Sequence, residues 1–253
     1  MQNFFDLTDK KAVVTGAARG LGREIAIGLA RYGADVMLWD LTPPELEETA
    51  QLIRAEGRQA WAEIVDITDV KQTAAGAIHA AETMGRVDIL VNNAGTNKPQ
   101  LTEEVDEATW DLMMNLNLKG LFFCAQAFGK IMIAQKGGKI VNVSSQSGKL
   151  ALFNRAVYCA SKGAVDQLTR VMAYDWAKYG VTVNAVAPTF VQTSMTENML
   201  KDKAFNDYVF SKLRIQRLAH ASEVAAGVLY LVSPGADIVT GHVLYIDGGW
   251  TIH

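Results

Sequence analysis

Two cysteines, Cys124 and Cys159, are all the chain carries. That is too few for a disulfide framework, so a reducing cytoplasm is the default expectation. Histidine is scarce too: His79, His220, His242 and His253 lie scattered without metal-ligand spacing, and no metal is expected. There is no basic excess. The formal net charge is −3 with 20% charged residues, which argues against nucleic acid as a partner. Residues Met1 to Asp6 show no basic stretch leading into an apolar run, and no segment is long and apolar enough to span a bilayer. Neither a signal peptide nor a membrane partner is therefore expected. Linkers, low-complexity tracts and internal repeats are missing as well.

What is present is a hydrophobic fraction of 49% in 253 residues, enough to cover both faces of one large sheet. Apolar runs at 12–15, 35–39, 60–65, 87–91, 139–143, 181–187 and 243–246 read as strands. Amphipathic stretches at 21–32, 44–56, 70–84 and 156–178 read as helices, with Pro43-Pro44 suited to a helix start. The strands read as apolar throughout, the pattern of a sheet covered on both sides. Strand–helix alternation implies parallel strands with right-handed crossovers. The expectation is a single α/β domain over 1–253, a doubly wound Rossmann sheet of about seven parallel strands flanked by helices.

The first strand runs into Thr15-Gly16-Ala17-Ala18-Arg19-Gly20-Leu21-Gly22 and straight into a helix. Gly16, Gly20 and Gly22 allow a sharp turn and let a pyrophosphate approach backbone N–H groups where the helix begins at Leu21. Asp40 ends the second strand. A carboxylate there accepts hydrogen bonds from the adenosine ribose hydroxyls and repels a 2′-phosphate, which favours NAD over NADP. Arg19 pulls the other way, because a basic side chain in this turn can pair with that phosphate.

Tyr158 and Lys162 stand four residues apart, so both can point into one cleft from a shared helix face. A free tyrosine titrates near ~10, too high for an efficient base, and a neighbouring ammonium favours the phenolate. Tyr158 can then take an alcohol proton or return it.

Asn92-Asn93-Ala94-Gly95 follows the fourth strand, Ser144-Ser145 the fifth, and Tyr158-Cys159-Ala160-Ser161-Lys162 opens the long helix. With the glycine turn and the terminal Asp247-Gly248-Gly249-Trp250, the chain resembles the short-chain dehydrogenase/reductase family along essentially its whole length. Within it, the chain looks most similar to gluconate 5-dehydrogenase-like and other sugar or polyol dehydrogenases. The resemblance implies an NAD-dependent oxidoreductase that interconverts a secondary alcohol and a ketone by hydride transfer. It also implies that Ser145 steadies the substrate oxygen and that Lys162 holds the nicotinamide ribose. Asn117 would anchor a water linking Lys162 to solvent. Cofactor contacts would come from Asp66 and Ile67 near adenine, and from Asn93, Ala94 and Gly95 along the adenosine ribose. Pro188, Val191 and Thr193 would lie beside the nicotinamide carboxamide. Thr189 departs from the family, which usually has glycine after that proline.

Gln146, Ser147, Asn154, Arg155 and Thr189 give the expected pocket a polar character suited to a polyhydroxylated substrate. Arg155 reads equally as a carboxylate anchor and as a surface or subunit-contact charge. The segment 193–212, with Met195, Met199, Leu200 and Phe205, reads as a substrate lid. The resemblance further implies a homotetramer, with helices around 106–133 and 156–179 pairing across one interface and the carboxy-terminal strand across another. A 3-oxoacyl-thioester reductase, a dehydrogenase of apolar alcohols and a non-catalytic nucleotide sensor are the other readings. Asp40 argues against the first, and the presence of all four catalytic groups argues against the last.

Overall fold

The computed structural model describes residues 4–192, 196 and 200–252. Seven parallel strands, β1 (Lys11–Thr15), β2 (Asp35–Asp40), β3 (Ala60–Ile64), β4 (Ile89–Asn92), β5 (Gly138–Val143), β6 (Val181–Pro188) and β7 (Val243–Ile246), form one sheet in the order β3-β2-β1-β4-β5-β6-β7. Around it lie α1 (Gly20–Arg31), α2 (Pro43–Ala55), α3 (Val70–Met84), α4 (Glu107–Met114), α5 (Leu121–Gln135), α6 (Ala156–Trp176), α7 (Lys203–Lys212) and α8 (Ala221–Val232). The doubly wound expectation holds.

Neighbouring strand residues serve opposite cores, which is why the inner strands carry no polar face. Val14, Leu38, Val91 and Val141 pack with Ile25 and Leu29 of α1, Leu46 and Ile53 of α2, and Val228 of α8. Val13, Met37, Trp39, Leu90 and Ile140 pack with Ala77 of α3, Phe128 of α5 and Met172 of α6. Burying such side chains contributes roughly 1.5–3 kcal/mol each. The edge strand β3 breaks the expected pattern. Ala62 and Ile64 are exposed while Trp61 and Glu63 are half-buried, because β3 pairs on one side only and its outer rim meets solvent.

The helix limits follow local chemistry. Asp69 caps α3 by accepting from the backbone of Lys71 and Gln72, and Gly85 ends it at φ 75°. The stretch expected as one helix around 106–133 is broken: a turn of π-helix, Asn115–Gly120, separates α4 from α5. Trp110 and Leu112 on α4 stay exposed, as do Val171 and Tyr174 on α6. No helix among the described residues is long and apolar enough to cross a membrane. From β1 the sheet grows outward through β2 to β3, then resumes on the other side of β1 with β4. This reversal opens a crevice beyond the carboxyl ends of β1 and β4.

Candidate active site

The crevice is a cleft of about 740 Å³, and most of the expected site residues line it. At one end lies the glycine turn. Gly16 takes φ 66°, and a Cβ there would fall 2.9 Å from Ala94 Cα. A Cβ on Gly22 would collide with the Gly16 carbonyl oxygen, whereas Gly20, at φ 57°, has open space above it. The turn is thus folded tightly on itself and bare toward the cleft. Arg19 occupies the position before α1 without any side-chain cap, so the first N–H groups of the helix are left for an anion. These features fit a dinucleotide pyrophosphate.

Asn93 pins this turn from behind. Its amide donates to Thr15 O and Gly16 O, both at 3.0 Å, while Thr15 Oγ1 accepts from the backbone of Asn93 at 3.0 Å and Ala94 at 3.1 Å. Asp40, at the end of β2, accepts from Ala18 N at 3.0 Å and Leu41 N at 2.7 Å. Its carboxylate is therefore oriented before anything binds. Leu21, Asp66, Ile67, Gly95 and Val191 also line the cleft, as expected. Asp66 holds its own turn by accepting from Thr68 N at 2.8 Å and Thr68 Oγ1 at 2.7 Å.

At the other end stand the expected catalytic groups. Ser145 begins the short turn Gln146–Gly148; its hydroxyl accepts from Ser147 N at 3.2 Å and lies 3.0 Å from Ser147 Oγ. Tyr158 sits in the first turn of α6, half-buried, and shares a hydrogen bond with Ser145. Lys162 is 4% exposed and donates from Nζ to Val143 O at 2.7 Å. Burial pulls its pKa down to about 8, against the opposing charge of Asp166.

Burial pushes the Tyr158 hydroxyl above the ordinary tyrosine value, and the groups that counter it are Ser145, by its hydrogen bond, and Arg155, by its charge. The Lys162 ammonium lies 5.7 Å from the centre of the Tyr158 ring and is bonded to Val143 O.

Asn117 occupies the π-turn and is fully buried, outside the cleft wall. It donates to Thr96 O at 2.8 Å and Ser161 Oγ at 3.3 Å and accepts from Thr96 N at 2.8 Å. Both amide hydrogens are engaged, and the side chain ties the loop after β4 to α6. The extra residue of a π-turn redirects a side chain in this way.

Arg155 is no surface charge. It is 5% exposed, lines the cleft, and lies 5.3 Å over the Phe205 ring. Its Nη1 donates to Phe153 O at 3.1 Å, and no carboxylate pairs with it among the described residues. Burial lowers its pKa from the ordinary guanidinium value. Its Nε, Gln146 Oε1, Thr189 Oγ1 and Asn97 Oδ1 are buried without hydrogen-bond partners among those residues. Asn97 was not anticipated; its only signal is a place two residues beyond Gly95. Thr189 keeps a backbone open to any residue, so the loss of glycine brings no strain.

Asn154, expected in the pocket, instead takes a left-handed φ of 57° outside the cleft wall, and Pro188 closes β6 behind Thr189. Thr193, Met195 and Met199 lie outside the described residues. The later part of the expected lid is α7, whose Phe205 and Tyr208 meet Phe153, Phe190 and Trp250 in an aromatic cluster with ring centres 5.0–6.0 Å apart.

The family profile described as short chain dehydrogenase matches residues 10–204. The chain belongs to that family. It is an oxidoreductase of alcohol groups, and the family's nicotinamide cofactor fits the cleft. It is 38% identical to the gluconate 5-dehydrogenase of Gluconobacter oxydans over 99% of this chain and 98% of that one. An NAD-dependent glycerol dehydrogenase of Listeria innocua is 39% identical, with 98% and 96% covered. The crystal structure of a gluconate 5-dehydrogenase from Burkholderia cenocepacia, in complex with NADP and tartrate, superposes with a TM-score of 0.95 at 34% identity, covering 99% and 98%. Among the described residues no cluster of three His, Cys, Asp or Glu side chains suits a metal ion.

Proposed function

We propose that this short-chain dehydrogenase uses NAD to interconvert a secondary alcohol and a ketone on a sugar acid or polyol. The observation that carries the reading is the set of partnerless polar atoms around the reacting end of the cleft: Arg155 Nε as donor, and Gln146 Oε1, Thr189 Oγ1 and Asn97 Oδ1 as acceptors. Buried polar groups are costly without partners. A ligand rich in hydroxyl groups, with or without a carboxylate, supplies them. Gluconate and glycerol named in the relatives' activities, and the tartrate bound to the Burkholderia enzyme, support that class.

Bound nicotinamide dinucleotide supplies the hydride acceptor or donor. The chain's own residues manage the rest. Ser145 holds the substrate oxygen, Tyr158 takes or returns the proton, and Lys162 supports the deprotonated tyrosine electrostatically.

Asp40 supports NAD, since its fixed carboxylate accepts from ribose hydroxyls and repels a 2′-phosphate. Arg19, exposed at the same end, competes. Asp40→Ala removes both preferences and narrows the NAD-to-NADP ratio of kcat/KM by about ten- to a hundredfold. An unchanged ratio withdraws Asp40 as the basis for assigning NAD; the Burkholderia enzyme carries NADP.

The substrate class is tested with alditols, aldoses, aldonic acids and apolar secondary alcohols, each with NAD and NADP. Arg155→Met raises KM for aldonic acids by about ten- to a hundredfold, the worth of a charged hydrogen bond, and leaves alditols nearly unaffected. Equal effects on both classes remove the carboxylate anchor. Turnover of apolar alcohols alone overturns the polar pocket.

A further inference from the structure

Behind the cleft lies a buried acid that the proposed chemistry does not use. Asp166 is 3% exposed and stands one turn after Lys162 on the same face of α6. Its Oδ1 accepts a 2.5 Å hydrogen bond from the hydroxyl of Ser144, the residue directly before Ser145. Its Oδ2 faces the next turn so closely that a Cβ on Gly148 would fall 2.6 Å away. One residue before Ser144, Val143 O accepts from Lys162 Nζ at 2.7 Å. The segment from Val143 to Gly148, which carries Ser145 and its partner Ser147, is therefore fastened to the helix that carries Tyr158 and Lys162. The Lys162 tie is shared with that residue's work in the cleft. The Ser144–Asp166 tie is not.

Packing alone does not explain an acid at this place. Burial raises the Asp166 pKa; the charges facing it are Lys162 and Arg170 on its own helix, with Tyr245 of β7 on the other side. A well-packed apolar side chain is often as stabilising as a buried charge, so the carboxylate calls for another role.

We propose that Asp166 is a positioning residue, holding the Ser145 hydroxyl in register with Tyr158 and Lys162 through Ser144. It touches none of the reacting groups. The inference rests on the catalytic set of the proposed function, and its test separates the two.

Ser144→Ala and Asp166→Ala each lower kcat by about ten- to a hundredfold, the scale of a small misplacement at a reacting centre. KM for the cofactor stays at the parent value. The double variant loses no more than the worse single one, because both cut the same tie. Asp166→Asn keeps an acceptor for Ser144 and recovers most of the lost turnover. Melting temperatures are read alongside. Parent kcat in folded single variants, losses that multiply in the double variant, or an Asp166→Asn as slow as Asp166→Ala would overturn the assignment. If Asp166→Ala does not fold, Ser144→Ala against Asp166→Asn decides, the first slow and the second near the parent. A parent enzyme inactive on every substrate of the panel would instead defeat the proposed function.

Discussion

Tyr158→Phe retains the fold and the cofactor affinity and loses about 10²- to 10⁴-fold in kcat, the span that a positioned acid or base contributes. The change deletes one hydroxyl from a half-buried ring in the first turn of α6. Ser145 keeps its contacts with Ser147 N and Ser147 Oγ, so no buried donor is orphaned and stability changes little. The proton, however, loses the hydroxyl that takes or returns it in the proposed chemistry. The pH profile carries a second sign. Burial raises the Tyr158 pKa while Ser145 and Arg155 oppose it, so alcohol oxidation by the parent rises with pH until the tyrosine ionises. That rising limb vanishes in Tyr158→Phe, and in Arg155→Met it moves to higher pH because one of the two opposing groups is gone. The measurement is kcat against pH for alcohol oxidation, with cofactor affinity by fluorescence titration. A variant that keeps a tenth or more of parent turnover, roughly one decade of loss or less, places the proton transfer on another group.

Most of the fold was legible because the central strands obey one rule. Val13 and Val14 face opposite cores, and each core demands an apolar residue, so the run is apolar without alternation. The same rule misjudged Ala60 to Val65, since an edge strand's exposure depends on which strand lies beside it, and no local pattern encodes that order. Tyr158, Ser145, Asp40 and the glycine turn were readable because their chemistry depends on residue type at a strand end or on one helical face. Asn97, Asp166 and the partnerless Nε of Arg155 were not readable as a group. Their meaning arises only when β5, α6 and the loop after β4 converge, leaving one polar atom without a partner and giving another a partner 22 residues away. The π-turn at Asn115–Gly120 was invisible for a related reason: its sequence suits an α-helix, and tertiary bonds from Asn117 to Thr96 and Ser161 accompany the extra residue.

Lys162→Met should give a more stable protein that turns over at least about 10²-fold more slowly. Lys162 is 4% exposed, and burial lowers its pKa from 10.5 to about 8. Between those two values the folded chain binds fewer protons than the unfolded chain, so stability rises with pH across that window. Below it, the charged lysine destabilises the fold by about 3 kcal/mol. Methionine, of similar length and without charge, removes that cost, while losing the bond to Val143 O takes back about 1 kcal/mol. The net gain of about 2 kcal/mol at neutral pH corresponds to a melting temperature higher by roughly 4–8 °C. Because the gain comes from the ammonium, it shrinks above pH 8 and is gone before pH 10.5, once the remaining charge cost no longer outweighs the lost bond to Val143 O. In the proposed chemistry this desolvated ammonium, on the same face of α6 as Tyr158, supports the tyrosinate, so the feature that weakens the fold is the one that serves the reaction. Thermal melts from pH 7 to 10.5, set beside turnover, test both halves. A variant less stable than the parent at pH 7, or one that keeps its activity, would show that Lys162 is held in place for packing rather than for charge.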